Sequence, residues 1–147
     1  MSTKDYVRDL RAAIGPRPVN LVGAAGLIQN ERGEVLLLRR VGWERWGLVT
    51  GICELGEALE ETLRREMHEE TGLTLHGAEL LDMLSPAELS RVDNGDEFYS
   101  YTALFRVTAW SGQPVPDGVE IAELAFFPLG SLPPLTRLGQ KAKEVLG

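Results

Sequence analysis

The sequence predicts an α/β domain, a mixed β-sheet covered by helices on both faces, and three observations lead there. Short apolar runs rich in branched residues, bounded by Gly, Pro and Asn, alternate along the chain with segments of helical period. Strands interspersed with helices need a helical layer on each side of the sheet. With 147 residues, 44% of them hydrophobic and 25% charged, the chain is long enough for one domain with a sizeable core and too short for two ordinary ones. Residues 1–147 are therefore read as one domain, with 1–16 as an N-terminal helical extension.

Thr3 to Ile14 reads as a short amphipathic helix, capped by Thr3, with Tyr6, Leu10 and Ile14 on one face and Gly15-Pro16 as its stop. Leu21 to Ile28 and Glu34 to Arg39 flank the turn residues Asn30-Glu31-Arg32-Gly33, a pattern that predicts a β-hairpin with both strands largely buried. Trp46 to Thr50 fits another short strand. A helix is expected from about Ala58 to Thr71: Glu57, Glu60 and Glu61 suit the positive end of its dipole, and Gly72 suits the residue that stops it. Leu73 to Leu84 reads as a strand, and Ser85 to Asp96 is polar with a turn at Asp93-Asn94-Gly95. Glu97 to Trp110 is the clearest long strand, with most of Phe98, Tyr99 and Tyr101 assigned to the core. A Gly/Pro-rich connection from Ser111 to Gly118, a last strand from Leu124 to Pro128 and a closing helix from Thr136 to Leu146 complete the chain, with no internal repeat.

The charge pattern of the middle helix is unusual. At about 100° per residue, Leu59, Leu63 and Met67 share a core-facing stripe. Glu66 and Glu70 fall within about 20° of Leu59, in line with that stripe, and Glu69 lies on its flank. Glu60, Glu61, Arg64, Arg65 and His68 take the solvent side. Burying an unpaired carboxylate costs several kcal/mol. Like charges one turn apart repel, and negative charge near a helix C-terminus opposes the dipole. Something positive must offset these terms, and a divalent cation with hard oxygen ligands, Mg²⁺ or Mn²⁺, is the simplest candidate. An acidic helix that is merely solvated is the bland alternative, and the inward geometry argues against it.

Gly51, Glu57, Arg65, Glu66, Met67, Glu69, Glu70, Gly72 and Leu73 also match the Nudix box, G-x5-E-x7-R-E-U-x-E-E-x-G-U, with U an aliphatic residue. The chain therefore resembles a Nudix hydrolase, and the resemblance implies the Nudix α/β/α sandwich with a mixed sheet. One departure stands beside the box: Val49-Thr50 occupies the place where many members carry Pro-Gly, and it leaves the carboxylates intact. The resemblance implies cleavage of a nucleoside diphosphate linked to another group, by water attack on phosphorus with Mg²⁺ or Mn²⁺ as cofactor. Glu66 and Glu70 would be the principal metal ligands, Glu69 a further ligand or water-holder, and the Gly51 carbonyl a backbone ligand. Arg65, one turn before Glu69, either orients it by an ion pair or forms an ordinary surface pair. Glu57 fits a supporting hydrogen bond to a ligand or its water, and equally a favourable first-turn carboxylate. The general base is either a box glutamate or an acid on a later loop. Glu120 is favoured, with Glu123 beside it between the Gly/Pro-rich stretch and the last strand, and Asp96 and Glu97 weaker.

Substrate selection lies outside the box. Trp43 and Trp46 flank the approach to it, where an exposed indole stacks on a nucleobase, although Trp46 fits the core better. Arg39 and Arg40 end the second hairpin strand, where one reaches a substrate phosphate or both stay solvated. ADP-ribose-like compounds, dinucleoside polyphosphates and nucleoside triphosphates are the candidate substrates. The net charge of −7 disfavours general nucleic-acid binding. No apolar run approaches a membrane span, and the stretch from Met1 to Asp5 lacks a signal-peptide core. The single Cys53 cannot form an internal disulfide, so the cytoplasm is the default location and Cys53 is read as a packing residue. His68 and His76 do not read as metal ligands. The resemblance allows a homodimer, but no stripe identifies an interface. Two other readings use the same fold: a sensor that binds a nucleotide without cleaving it, usually marked by a degenerate box, and a prenyl-diphosphate isomerase, whose cysteine would lie elsewhere than Cys53.

Overall fold

The computed structural model describes residues 3–92 and 94–147, with side chains from residue 5 onward. In chain order the elements are α1 (Thr3–Ile14), β1 (Val19–Leu27), β2 (Val35–Arg40), β3 (Val49–Ile52), α2 (Leu59–Thr71), β4 (Thr74–Leu84), β5 (Ser90–Arg91), β6 (Glu97–Ser111), β7 (Ile121–Phe127) and α3 (Arg137–Leu146). The Thr3 cap, the N-terminal stretch from Met1 and Asp93 of the expected turn lie outside what is described. Both predicted helix stops behave as expected: Gly15 follows α1 at φ 73° and Gly72 follows α2 at φ 76°, the left-handed conformation that glycine adopts without cost.

The main sheet is mixed, in the order β3-β1-β6-β4, with β5 paired to β6. β1 and β6 run parallel; β3 lies antiparallel to β1, and β4 antiparallel to β6. β2 pairs instead with β7 in a second, two-stranded sheet. The expected β1–β2 hairpin is thereby corrected. Its turn is present, with Asn30 Oδ1 accepting from the N–H groups of Arg32 and Glu34, but among the described residues only the Gln29–Val35 bridge joins the two segments before they part. Both strands are buried, so the apolar pattern could not distinguish pairing with each other from pairing elsewhere. β3 starts three residues beyond Trp46 and runs into the box, and β7 starts at Ile121, so Glu123 sits within a strand rather than on the loop. None of Phe98, Tyr99 and Tyr101 is fully buried, and Tyr99 is exposed.

Side chains alternate across the sheet and make two cores. Ala24, Ala103, Phe105 and Val107 face α2, joining Leu36, Leu38, Leu63 and Met67. Ala25 and Leu104 face the other way, toward Leu37, Leu48, Leu135 and Ala142 of α3. The period-two alternation of β1 and β6 thus feeds both layers of an α/β/α sandwich. Among the described residues no helix is long and apolar enough to cross a membrane.

Candidate active site

The site is built where α2 lies across β3 and β1. Leu63 and Met67 are wholly buried and set the helix rotation, which carries Glu66 to 6% and Glu70 to 3% exposure. Close backbone approach on the strand side makes this seat. A Cβ on Gly51 would lie 2.2 Å from the carboxyl carbon of Glu66, and one on Gly23 would lie 2.2 Å from the Gly51 carbonyl oxygen. Glycine at both positions lets β1, β3 and the carboxylate stack directly. Thr50 completes the seat: its N–H donates to Glu70 Oε1 at 3.2 Å, and its hydroxyl donates to the Ala24 carbonyl at 3.0 Å. Thr50 therefore hydrogen-bonds the carboxylate and ties β3 to β1.

Two arginines meet the two inward carboxylates. Arg65 was expected toward solvent, yet its side chain is only 14% exposed. It folds back over the box loop, donating to both Glu57 oxygens at 2.8 and 3.0 Å, to the Ile52 carbonyl at 3.0 Å and to Glu66. Its approach to Glu69, the partner expected from spacing, is the longest at 3.9 Å. Straight-helix spacing misses this because a long guanidinium reaches across the loop rather than along the helix. Arg40, at the end of β2, lies 2.8 Å from Glu70. Arginine thus supplies the positive charge that the inward carboxylates call for. Hydrogen bonding from Arg65 holds Glu57 down at about 2, and the same contact pushes Arg65 further up. Burial pushes Glu70 up to about 7, with Arg40 opposing and Glu66 reinforcing the rise. Glu69 is 45% exposed at the rim.

A cavity of about 800 Å³ opens beside this seat, lined by Arg40 and Thr50 at the Glu70 end, by Trp43, by Met83 and Leu84 of β4, by Phe98 and Ser100 of β6, and by Arg137 and Lys141 of α3. That volume accommodates a nucleotide-sized ligand. Trp43 is 52% exposed, while Trp46 packs edge-on against Phe127 and does not line the cavity. Arg39 turns away to Glu123 at 2.8 Å and the Trp43 carbonyl. Glu120 lies on the loop entering β7, its carbonyl accepting from the N–H of Val41, next to Arg40. Asp117 fixes that loop by accepting from the N–H groups of Val119, Glu120 and Ile121. Sequence reasoning noted Thr50 only as a departure from the family pattern and passed over Asp117, which the turn signal Asp117-Gly118 could have flagged. Asp96 pairs with Arg11 and Glu97 with Arg91. Cys53 is buried and accepts from Thr62, and burial raises its thiol.

The NUDIX domain model matches residues 19–146. The chain belongs to the Nudix family. A Bacillus subtilis protein provisionally named as an 8-oxo-dGTP diphosphatase is 32% identical over 111 residues, which is 76% of this chain and 68% of the relative. A second Bacillus subtilis protein, provisionally named as an ADP-ribose pyrophosphatase, is 31% identical over 103 residues, covering 70% of this chain and 48% of the relative. The chain spans about half the length of the first curated relatives it matches. The crystal structure of a MutT Nudix hydrolase from Burkholderia pseudomallei superposes with a TM-score of 0.72 at 28% identity, over 87% of this chain and 97% of that one.

Nudix proteins generally use divalent metals, and the donors here suit one. Two buried carboxylates and a backbone carbonyl are hard oxygen ligands, and the Gly51 cradle leaves no room for a side chain beside Glu66. Among the described residues no three carboxylate, histidine or cysteine side chains are gathered as a ready-made metal cluster. Arg40 and Arg65 occupy those carboxylates instead, and metal binding has to displace or share their contacts.

Proposed function

We propose that this Nudix protein is a divalent-metal-dependent pyrophosphohydrolase that cleaves a nucleoside diphosphate linked to another moiety. One observation carries the reading: Glu66 is buried against the Gly51 backbone and Glu70 beside it against the Thr50 N–H, and Arg40 and Thr50, which both contact Glu70, line a cavity of about 800 Å³. Glu66, Glu70, Glu69 and the Gly51 carbonyl would hold Mg²⁺ or Mn²⁺. When bound, the metal supplies neutralisation of the diphosphate and a lowered pKa for a bound water. Arg40, already at the mouth of the seat, binds a phosphate oxygen of the substrate. Glu57 and Arg65 keep Glu66 in place. Glu120, next to Arg40 through the Val41 contact, takes the proton of the attacking water as the oxygen–phosphorus bond forms and the bridging oxygen leaves. Trp43 and Phe98 offer aromatic surface for the nucleobase.

The relatives' names favour ADP-ribose-like compounds and oxidised purine nucleoside triphosphates, with dinucleoside polyphosphates as a third class. The test is a hydrolysis panel with Mg²⁺ and with Mn²⁺ across these classes, with Glu70→Gln as the blank. Strong turnover of one class that the variant lacks is expected. Silence across the panel, with one compound still raising the melting temperature, would replace this reading by a nucleotide-binding module.

A further inference from the structure

α1 precedes the stretch that the family model matches, yet it reaches into the box. The N–H of Tyr6, in the N-terminal part of α1, donates to Glu54 Oε2 at 3.2 Å. Glu54 lies three residues after Gly51 and is 5% exposed. A carboxylate facing the N-terminal end of a helix is stabilised by the helix dipole as well as by the hydrogen bond.

From Glu54 the contacts continue into the site. Its N–H donates to Glu57 Oε1 at 3.1 Å, Glu57 holds Arg65 at 2.8 Å, and Arg65 holds Glu66. At its other end α1 is tied to the body by Arg11, which donates to the Arg17 carbonyl at 2.7 Å and to the Glu97 carbonyl at 2.6 Å.

The seam under α1 is also incompletely satisfied. Arg11 Nε and Glu54 Oε1 are the buried side-chain polar atoms without a hydrogen-bond partner among the described residues; Arg11 Nε has the looser ion pair to Asp96 at 3.6 Å, and both atoms belong to residues that α1 uses to dock. An open groove of about 500 Å³ runs along α1, bordered by Val7, Leu21, Ile52 and Phe98. A buried polar atom left without a hydrogen bond, as Glu54 Oε1 is, is costly.

We propose that α1 is a strap that positions the carboxylate cluster, with Glu54 as the positioning residue through which it acts on Glu57, Arg65 and Glu66. Docked, α1 fixes the box loop. Undocked, it exposes Glu54 to water and frees the loop. The inference deepens the hydrolase reading of the same site, and rests on it for the Mn²⁺ and turnover measurements but not for hydrogen exchange.

The test keeps the full chain. Asp9→Pro breaks α1 at an exposed position away from the site, Asp9→Ala is its control, and Arg11→Gln releases the other end. Three quantities are read: hydrogen exchange at residues 52–57, Mn²⁺ affinity by electron paramagnetic resonance, and kcat against KM. Asp9→Pro and Arg11→Gln should speed exchange at 52–57 and weaken Mn²⁺ binding about tenfold, the scale for residues that support metal ligands. They should also lower kcat while leaving KM within about twofold. In a Glu54→Gln background, Asp9→Pro should cost less Mn²⁺ affinity than in the parent, because the connection is already cut. Exchange and Mn²⁺ affinity both unchanged by Asp9→Pro and Arg11→Gln would overturn the strap. A parent protein that binds no Mn²⁺ and hydrolyses nothing would overturn the hydrolase reading, and exchange at 52–57 would then decide the strap alone.

Discussion

Glu70 is where burial and charge oppose each other most sharply, and its behaviour with pH is therefore the most direct probe of the site. Its folded pKa is raised to about 7 from an ordinary 4.5, with burial as the first cause. A raised acid contributes stability that is fully present below pH 4.5 and is lost as pH rises toward 7. Metal-free protein should lose stability across that window in urea denaturation, and Glu70→Gln should flatten the slope. An unchanged slope in the variant would assign the pH dependence elsewhere. Glu57 moves oppositely: lowered to about 2 by Arg65, it contributes stability present above pH 4.5 and lost as pH falls toward 2. Arg40→Gln should cost about 1–3 kcal/mol at pH 8, where it strands a buried charged acceptor. The cost should shrink at pH 5, where Glu70 takes up a proton; equal costs at the two pH values would mean that the pair at 2.8 Å does little for the fold.

Among the elements, the orientation of α2 was legible in the sequence and the pairing of β2 was not. Helical period reports which face a residue occupies, and that placed Glu66, Glu70, Leu63 and Met67 inward without knowledge of any partner. A strand buried on both faces carries no such signal, so β2 reads the same beside β1 or beside β7. Arg65 was misread for a different reason: its position on the helix was right, but its guanidinium is recruited by Glu57 from outside the helix. The glycine seat was legible only as a motif letter, because the reason for it is a through-space approach of β3 to α2. That reason is testable: Gly51→Ala inserts a Cβ 2.2 Å from the Glu66 carboxyl carbon. Overpacking of this kind costs about 1–3 kcal/mol. The variant should melt lower and bind Mn²⁺ more weakly; normal metal affinity would show that Glu66 can move without loss.

Across the whole molecule, the sheet separates two jobs. The α2 face carries the buried carboxylates, while the α3 face carries a core capped by Thr136, whose hydroxyl oxygen accepts from the N–H of Gly139. Losing that cap should cost about 0.5–2 kcal/mol. Metal binding to the folded state alone should stabilise the protein by about 2.7 kcal/mol at a concentration one hundred times its Kd. Sites that share no partner add within about 0.3–0.5 kcal/mol. Thr136→Ala should therefore melt lower than the parent yet gain the same increment from Mg²⁺ or Mn²⁺. Glu66→Gln and Glu70→Gln should gain almost none. Chelation should return the parent and Thr136→Ala to their metal-free melting temperatures. A reduced increment in Thr136→Ala would mean that the cavity between β4, β6 and α3 transmits the loss of the cap to Glu70, and that the two faces of the sheet act as one unit.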